Sequence, residues 1–254
     1  MNYMKTLHKK VCEIIKPKGA PVGIKMLKDH ELGELHIRKL EKNLALCQLL
    51  KYVALYKKTR IVAFENIDAC VVGSYVLGFG MPPEDLKERW IKGWKYNEEL
   101  FNALVTQVHA LPQGEYKAAI FAPLEAFDKY NLTPDAVILL VNSAQAYLLS
   151  VGYFDATGKK IHSDFNGHAA CEIVATVIQG KSPWLTIPCG GARGLAGSQD
   201  DELWMGMTPE ELKTTIDRLE AVGLEYPPAI YQSTLADLIQ DHPLTYLIAR
   251  TVKK

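Results

Sequence analysis

The sequence predicts an α/β fold, with α+β as the open variant, made of two similar halves that face each other across a pseudo-twofold axis. Three observations lead there. Short bounded apolar runs alternate with segments of three-and-four apolar spacing, the mark of strands interleaved with amphipathic helices. Each half carries the same order of a helix with a cysteine, a strand, and a second cysteine just past the strand. A glycine-methionine pair leading into a proline-and-acid helix start recurs in both, as "GMPPEDL" at 80–86 and "GMTPEEL" at 206–212. The halves are then residues 1–112 and 113–254, joined in one compact unit with a site at their junction.

In chain order, "APVGIKML" (20–27) is an apolar run of strand length, and "LEKNLALCQLLKYVALY" (40–56) has helical spacing with Cys47 in its middle. "TRIVAFE" (59–65) reads as a second strand, "NIDAC" places Cys70 just beyond its end, and "VVGSYVLGFG" continues to a glycine-marked break. From Pro83 the chain reads as helix, interrupted near Gly93 and closed by Leu111 and Pro112. "YKAAIFAPL" (116–124) and "DAVILLV" (135–141) are strand-like, and "AQAYLLSVGYF" (144–154) opens as helix. "HAACEIVATVIQ" (168–179) is a helix holding Cys171 and stopped by Gly180, and the strand "SPWLTIP" (182–188) runs directly into Cys189. "TPEELKTTIDRLEAVG" has a complete helix signature: Thr208 as cap, Pro209 in the first turn, Glu211 three residues after the cap, and Gly223 as the stop. The tail from Tyr226 is expected on the surface, with a short helix around "STLADLIQ".

Composition narrows the function classes. With 254 residues, 48% of them hydrophobic, the chain can fill a sizeable core. Its 29 basic and 29 acidic residues cancel, so there is no extended positive surface for a nucleic acid, and the aromatic residues do not interleave with basic ones as a stacking platform would. The N-terminal apolar run is short and broken by Glu13, and no run reaches the roughly 18 apolar residues of a membrane span, so a cytoplasmic protein without membrane association is expected. Five cysteines, an odd number, point to reduced thiols or thiolate ligands rather than a disulfide framework.

If the halves are related by a twofold axis, Cys47, Cys70, Cys171 and Cys189 converge at the junction. Four thiolates suit an iron-sulfur cluster, of the four-iron four-sulfur type above all, with zinc as the alternative. No C-x-x-C pair forms a local clamp, and buried core-filling cysteines are the plainer reading of the same residues. Cys12 has no partner in the repeat and is left out. Glu65 and Asp68, close to Cys70, are placed to move protons, or else serve the turn. After Cys189, "GGARGLAG" reads as a glycine loop whose amides, with the Arg193 guanidinium, would hold a carboxylate or phosphate, the alternative being an ordinary surface loop. Asp200, Asp201 and Glu202 read as a solvated turn, the alternatives being partners of Arg193 or ligands of a hard cation. His168, three residues before Cys171, would share a helix face with it and act as a base or further ligand.

With these residues in view, the chain resembles the uncharacterised family catalogued as domain of unknown function one hundred and sixty-nine. The resemblance rests on "PVGIKML", "CQLL" at 47–50, "AFENIDAC" at 63–70 with "LGFG" after it, "YKAAIFAPL", "DAVILLV", "CGGAR" at 189–193 and "GMTPEEL". It implies no established activity. It implies an archaeal and anaerobic setting, in which an oxygen-sensitive cluster is at home. The expected function is therefore a metal-binding protein holding an iron-sulfur cluster for redox or Lewis-acid chemistry, as an oxidoreductase or lyase, on a small anionic substrate. Arg193 would hold that substrate and Glu65 or Asp68 would move protons; the partner is the substrate or a redox protein, and a monomer or an oligomer is equally compatible. Two rivals stand beside it: a small-anion carrier with merely buried cysteines, and a thiol enzyme with Cys189 as nucleophile and His168 as base.

Overall fold

The computed structural model describes residues 2–31, 36–67, 69–80, 88, 91–93, 97–165 and 167–227, excepting the side chains of His30, Phe64, Glu65 and Val71. The helix expected from Pro83 falls largely outside these residues, as do "MPPEDL" at 81–86 and the surface helix expected around "STLADLIQ".

The first part of the chain forms α1 (Tyr3–Ile14), β1 (Val22–Leu27), α2 (Leu46–Tyr56), β2 (Arg60–Val62), α3 (Phe64–Ile67), α4 (Val71–Val76) and α5 (Glu98–Gln107). There follow β3 (Ala118–Pro123), α6 (Phe127–Tyr130), β4 (Ala136–Val141), α7 (Ser143–Thr157), α8 (Ile173–Ile178), β5 (Trp184–Thr186), α9 (Gly190–Ala196), β6 (Leu203–Met207) and α10 (Pro209–Val222).

The six strands form one sheet in the order β2-β3-β1-β4-β6-β5. Every neighbouring pair is antiparallel, with Ile24 opposite both Phe121 and Ala136, and Gly206 opposite both Ile138 and Trp184. The mixed helix-and-strand class matches the expectation, and the single sheet draws its strands from both sides of residue 112. β3 and β4 are buried at every position, because helices cover both faces. That is why "AAIFAP" and "AVILLV" read as continuous apolar runs without alternation.

Alternate residues sort the two layers. Ile24, Phe121, Ile138 and Trp204 pack with α2, α4, α8 and α9 on one face. Ile120, Val137, Leu139 and Met205 pack with α1, α7 and α10 on the other. α10 begins as its sequence signature requires: the Thr208 hydroxyl accepts from the Glu211 N–H at 3.2 Å, the Glu211 carboxylate accepts from the Thr208 N–H at 2.9 Å, and Gly223 ends the helix at φ +70°.

The structure departs from the sequence reading in several places, and the helix expected over 40–56 begins only at Leu46. Residues 64–67 and 71–76 are helical where strand and its continuation were expected, and the N-terminal segment forms α1. The stretch "GGARGLA" is a helix and not an open loop, capped by Cys189 and ended by Gly197 at φ +64°. "LWMGM" is an unanticipated strand; its glycine is required, since a Cβ on Gly206 would lie 2.7 Å from Val177 and 2.8 Å from Ile173, the side chains by which α8 sits on the sheet. Among the described residues no helix is long and apolar enough to cross a membrane.

Candidate cysteine site

Four cysteines stand at or near helix starts on one face of the sheet. Cys47 is the second residue of α2, Cys70 caps α4, Cys171 lies in the tight turn Ala170–Glu172 that opens α8, and Cys189 caps α9. These elements pack on each other: α2 touches α4, α9 and the Ala170–Glu172 turn, and that turn touches α4. Cys12 sits on α1, on the opposite face of the sheet, and takes no part.

The first N–H groups of a helix have no partner within it. Here sulfur takes some of them. The Ala192 N–H donates to Cys189 Sγ at 3.4 Å. Burial raises the Cys70 thiol, while the N–H groups of Val72 and Gly73 pull the other way. Burial pushes the Cys47 thiol up to about 12, its neighbours Cys189 and Cys70 add to the rise, and the N–H of Gln48 opposes it. Cys171 is driven well above the ordinary thiol range by burial, and next by Cys189, Cys70 and Cys47. The sulfurs therefore lie in one another's fields. Cys47, Cys171 and Cys189 are buried, whereas Cys70 is half-buried and forms the rim. All five thiols are free, and among the described residues no three His, Cys, Asp or Glu side chains stand close enough together to hold a metal ion as placed.

The surrounding polar groups were only partly foreseen. Glu172, next to Cys171 and 4% exposed, has its carboxyl raised to about 7 by burial, although the His109 N–H donates to it at 3.0 Å. The Thr176 hydroxyl donates to the Glu172 carbonyl at 2.9 Å, so His109 Nδ1, 2.9 Å from the Thr176 hydroxyl oxygen, donates its proton to that hydroxyl. On β5, which leads into Cys189, Trp184 Nε1 and Thr186 Oγ1 are buried without a hydrogen-bond partner among the described residues. Lys51, one turn after Cys47, donates to Glu202 at 2.6 Å in a pair that is 11% and 1% exposed, and Trp204 Nε1 donates to the same carboxylate at 3.0 Å. Glu172 and Lys51 each had a signal in the sequence: a lone charge inside an otherwise apolar helix, which demands a buried partner.

The other expected residues are distributed as follows. The three adjacent acids separate: Asp200 pairs with Arg193 at 3.1 Å, Asp201 with Lys18 at 2.6 Å, and Glu202 is the buried partner of Lys51. Arg193 lies in the last turn of α9, where its Nε donates to the Pro188 carbonyl at 3.2 Å. His168 precedes the Ala170–Glu172 turn, so it shares no helix face with Cys171. Asp68 and the Glu65 side chain fall outside the described residues.

Comparison with known proteins places this arrangement among others of undetermined activity. Residues 10–218 match the family model DUF169, described as uncharacterised ArCR. The uncharacterized protein MJ0308 of Methanocaldococcus jannaschii is 26% identical over 227 residues, covering 87% of this chain and 95% of that relative. No solved structure matches the chain.

Proposed function

We propose, for a chain that belongs to the DUF169 family, that Cys47, Cys70, Cys171 and Cys189 hold an iron-sulfur cluster of the four-iron type. The observation that carries this reading is that four separate elements bring four thiols into one another's fields, three of them buried, with backbone N–H groups at the sulfurs of Cys47, Cys70 and Cys189. Left as thiols, such a group gains little by gathering. As thiolates, sulfurs in one another's fields repel, and a cation among them would offset the repulsion. Hydrogen bonds to sulfur and a low-dielectric surround are the means by which a protein sets a cluster's potential. The cysteines come singly, whereas structural zinc sites draw theirs from close C-x₂₋₄-C pairs. When bound, the cluster supplies one-electron transfer, or Lewis acidity at an iron with an open position. The chain's own part is to hold the four sulfurs, to exclude water by the packing of α2, α4, α8 and α9, and to leave Cys70 as the rim nearest solvent.

The strand order supports the further reading of two related halves. Read from either edge, β2-β3-β1 and β5-β6-β4 have the same sequence of elements, with β1 and β4 antiparallel at the centre; this pairing puts β3 with the first half and so moves the boundary past Pro123, beyond the expected residue 112. Cys47 and Cys171 then follow the first strand of each half, and Cys70 and Cys189 the second. In this pairing β6 corresponds to β3, so the likeness of "GMTPEEL" to "GMPPEDL" has no part in it: Gly206 lies within β6, while Gly80 follows α4.

The test is anoxic reconstitution of five variants, each with one cysteine changed to serine. Cys12→Ser is expected to keep the full iron and sulfide content, and the other four to lose most of it. Equal iron in all five would overturn the assignment.

A further inference from the structure

A second site stands beside α2, away from the cysteines. Residues 38–44 arch over a cavity of about 350 Å³ with Tyr52 and Arg60 in its wall, within the size range of small-ligand pockets. Its charges do not balance. Among the described residues, Arg38, Lys39, Lys42 and Arg60 line it against a single acid, Glu41. Glu41 is already bound to Arg38, whose guanidinium holds the carboxyl below the usual range.

Arg60 lies in the field of Glu41, but among the described residues no carboxylate forms an ion pair with it. Its Nη1 donates to the Thr59 carbonyl at 2.7 Å and its Nη2 to the Tyr52 hydroxyl at 2.8 Å, with the guanidinium 5.4 Å from the centre of the Tyr52 ring. Those partners fix the planar fork and leave its charge and remaining donors free to act, the arrangement that suits phosphate or carboxylate oxygens. The larger cavity around Lys25 and Lys28 makes the contrast. There Lys25 pairs with Asp135 at 2.8 Å and Lys28 with Glu115 at 2.8 Å, so each cation has its carboxylate.

We propose that the cavity under residues 38–44 binds a small anion carrying two or more phosphate or carboxylate charges, gripped by Arg60 and Lys42. The arch is also tied to both cysteine-bearing segments. The Leu44 N–H donates to the Asn66 carbonyl at 2.9 Å, the Asn66 amide to the Leu40 carbonyl at 3.0 Å, and the Ala69 N–H to the Asn43 side chain at 3.0 Å. Leu44 stands two residues before Leu46, the first residue of α2, and three before Cys47. An anion that orders the arch therefore steadies the turn carrying Cys70 and the start of the helix carrying Cys47.

Isothermal titration of the full chain with pyrophosphate and, separately, with citrate tests the proposal, and the comparison tells phosphate from carboxylate chemistry. At least one probe is expected to bind, with an affinity that weakens as salt rises and falls roughly tenfold or more in Arg60→Gln and in Lys42→Gln. Lys42 is exposed, so its substitution leaves the packing intact even if Arg60→Gln folds poorly. Lys25→Gln, in the other cavity, is expected to bind as the unaltered chain does. Absence of binding by both probes, or equal binding by Lys42→Gln, would overturn the proposal. Because the heat of binding is read on the chain whatever its iron content, failure here leaves the cysteine reading standing, and the reverse also holds.

Discussion

Gly73 of α4 rests on Leu46 of α2 so closely that a Cβ at Gly73 would lie 2.7 Å from the Leu46 Cβ. This contact sets the helix capped by Cys70 against the helix that carries Cys47. Gly73→Ala has two opposed effects: alanine favours the helix by about 1 kcal/mol, and overpacking costs about 1–3 kcal/mol. The clash is with a main-chain-proximal atom and has no flexible end to yield, so it wins. Urea denaturation is expected to show a net loss of up to about 2 kcal/mol, and cluster content is expected to fall further than stability does, because α4 must back away from α2. A stabilised variant with full iron content would count against this account of the approach.

Lys51 and Glu202 tie α2 to the start of β6 through a buried ion pair. Lys51→Met leaves the Glu202 carboxylate buried without its cation, and a loss of about 3–5 kcal/mol is expected. Adding Glu202→Gln should restore much of it, since both charges are then gone. The double-mutant cycle measures the coupling, and a single variant within about 0.5 kcal/mol of the parent would show the pair to be idle.

The same pair gives stability its acid dependence. Burial would raise the Glu202 carboxyl, but the Lys51 ammonium and the Trp204 N–H outweigh it and hold it below its ordinary value of 4.5. In the unfolded chain Glu202 takes a proton near that ordinary value, so the stabilisation is fully present above it and is lost as pH falls through the lower folded value. Denaturation midpoints followed downward from pH 6 should therefore drop more steeply for the parent than for Glu202→Gln. Parallel curves would exclude Glu202 as a contributor.

Metal-free protein should be sluggish toward alkylation at the cysteine site. A Cys47 thiol at about 12 holds roughly a thousandfold less thiolate near neutral pH than an ordinary free cysteine. Iodoacetamide with peptide mapping is expected to leave Cys47 and Cys171 unmodified until the chain is unfolded. Rapid labelling of Cys189 at neutral pH, slowed by His168→Ala, would instead favour the thiol-enzyme reading.

The main strands were legible because burial on both faces writes them as unbroken apolar runs, and α10 because Thr208, Pro209, Glu211 and Gly223 each have one physical role at a helix end. The candidate cysteines were legible through their order relative to strands. β6 was not, since five residues with Gly206 inside look like a turn until α8 is seen to sit on them. α9 was hidden for a similar reason: Gly190, Gly191 and Gly194 favour a loop locally, and only the Cys189 cap and contact with α2 select helix. Nor does sequence spacing predict that Asp200, Asp201 and Glu202 would go to three different cations, because those partners come from distant parts of the chain.

The central claim is that four cysteines hold one iron-sulfur cluster, and the direct measurement is iron and acid-labile sulfide in anoxically purified, reconstituted protein. The account predicts brown protein with about four of each per chain. Colourless protein without iron or sulfide, or one zinc per chain in their place, would contradict it.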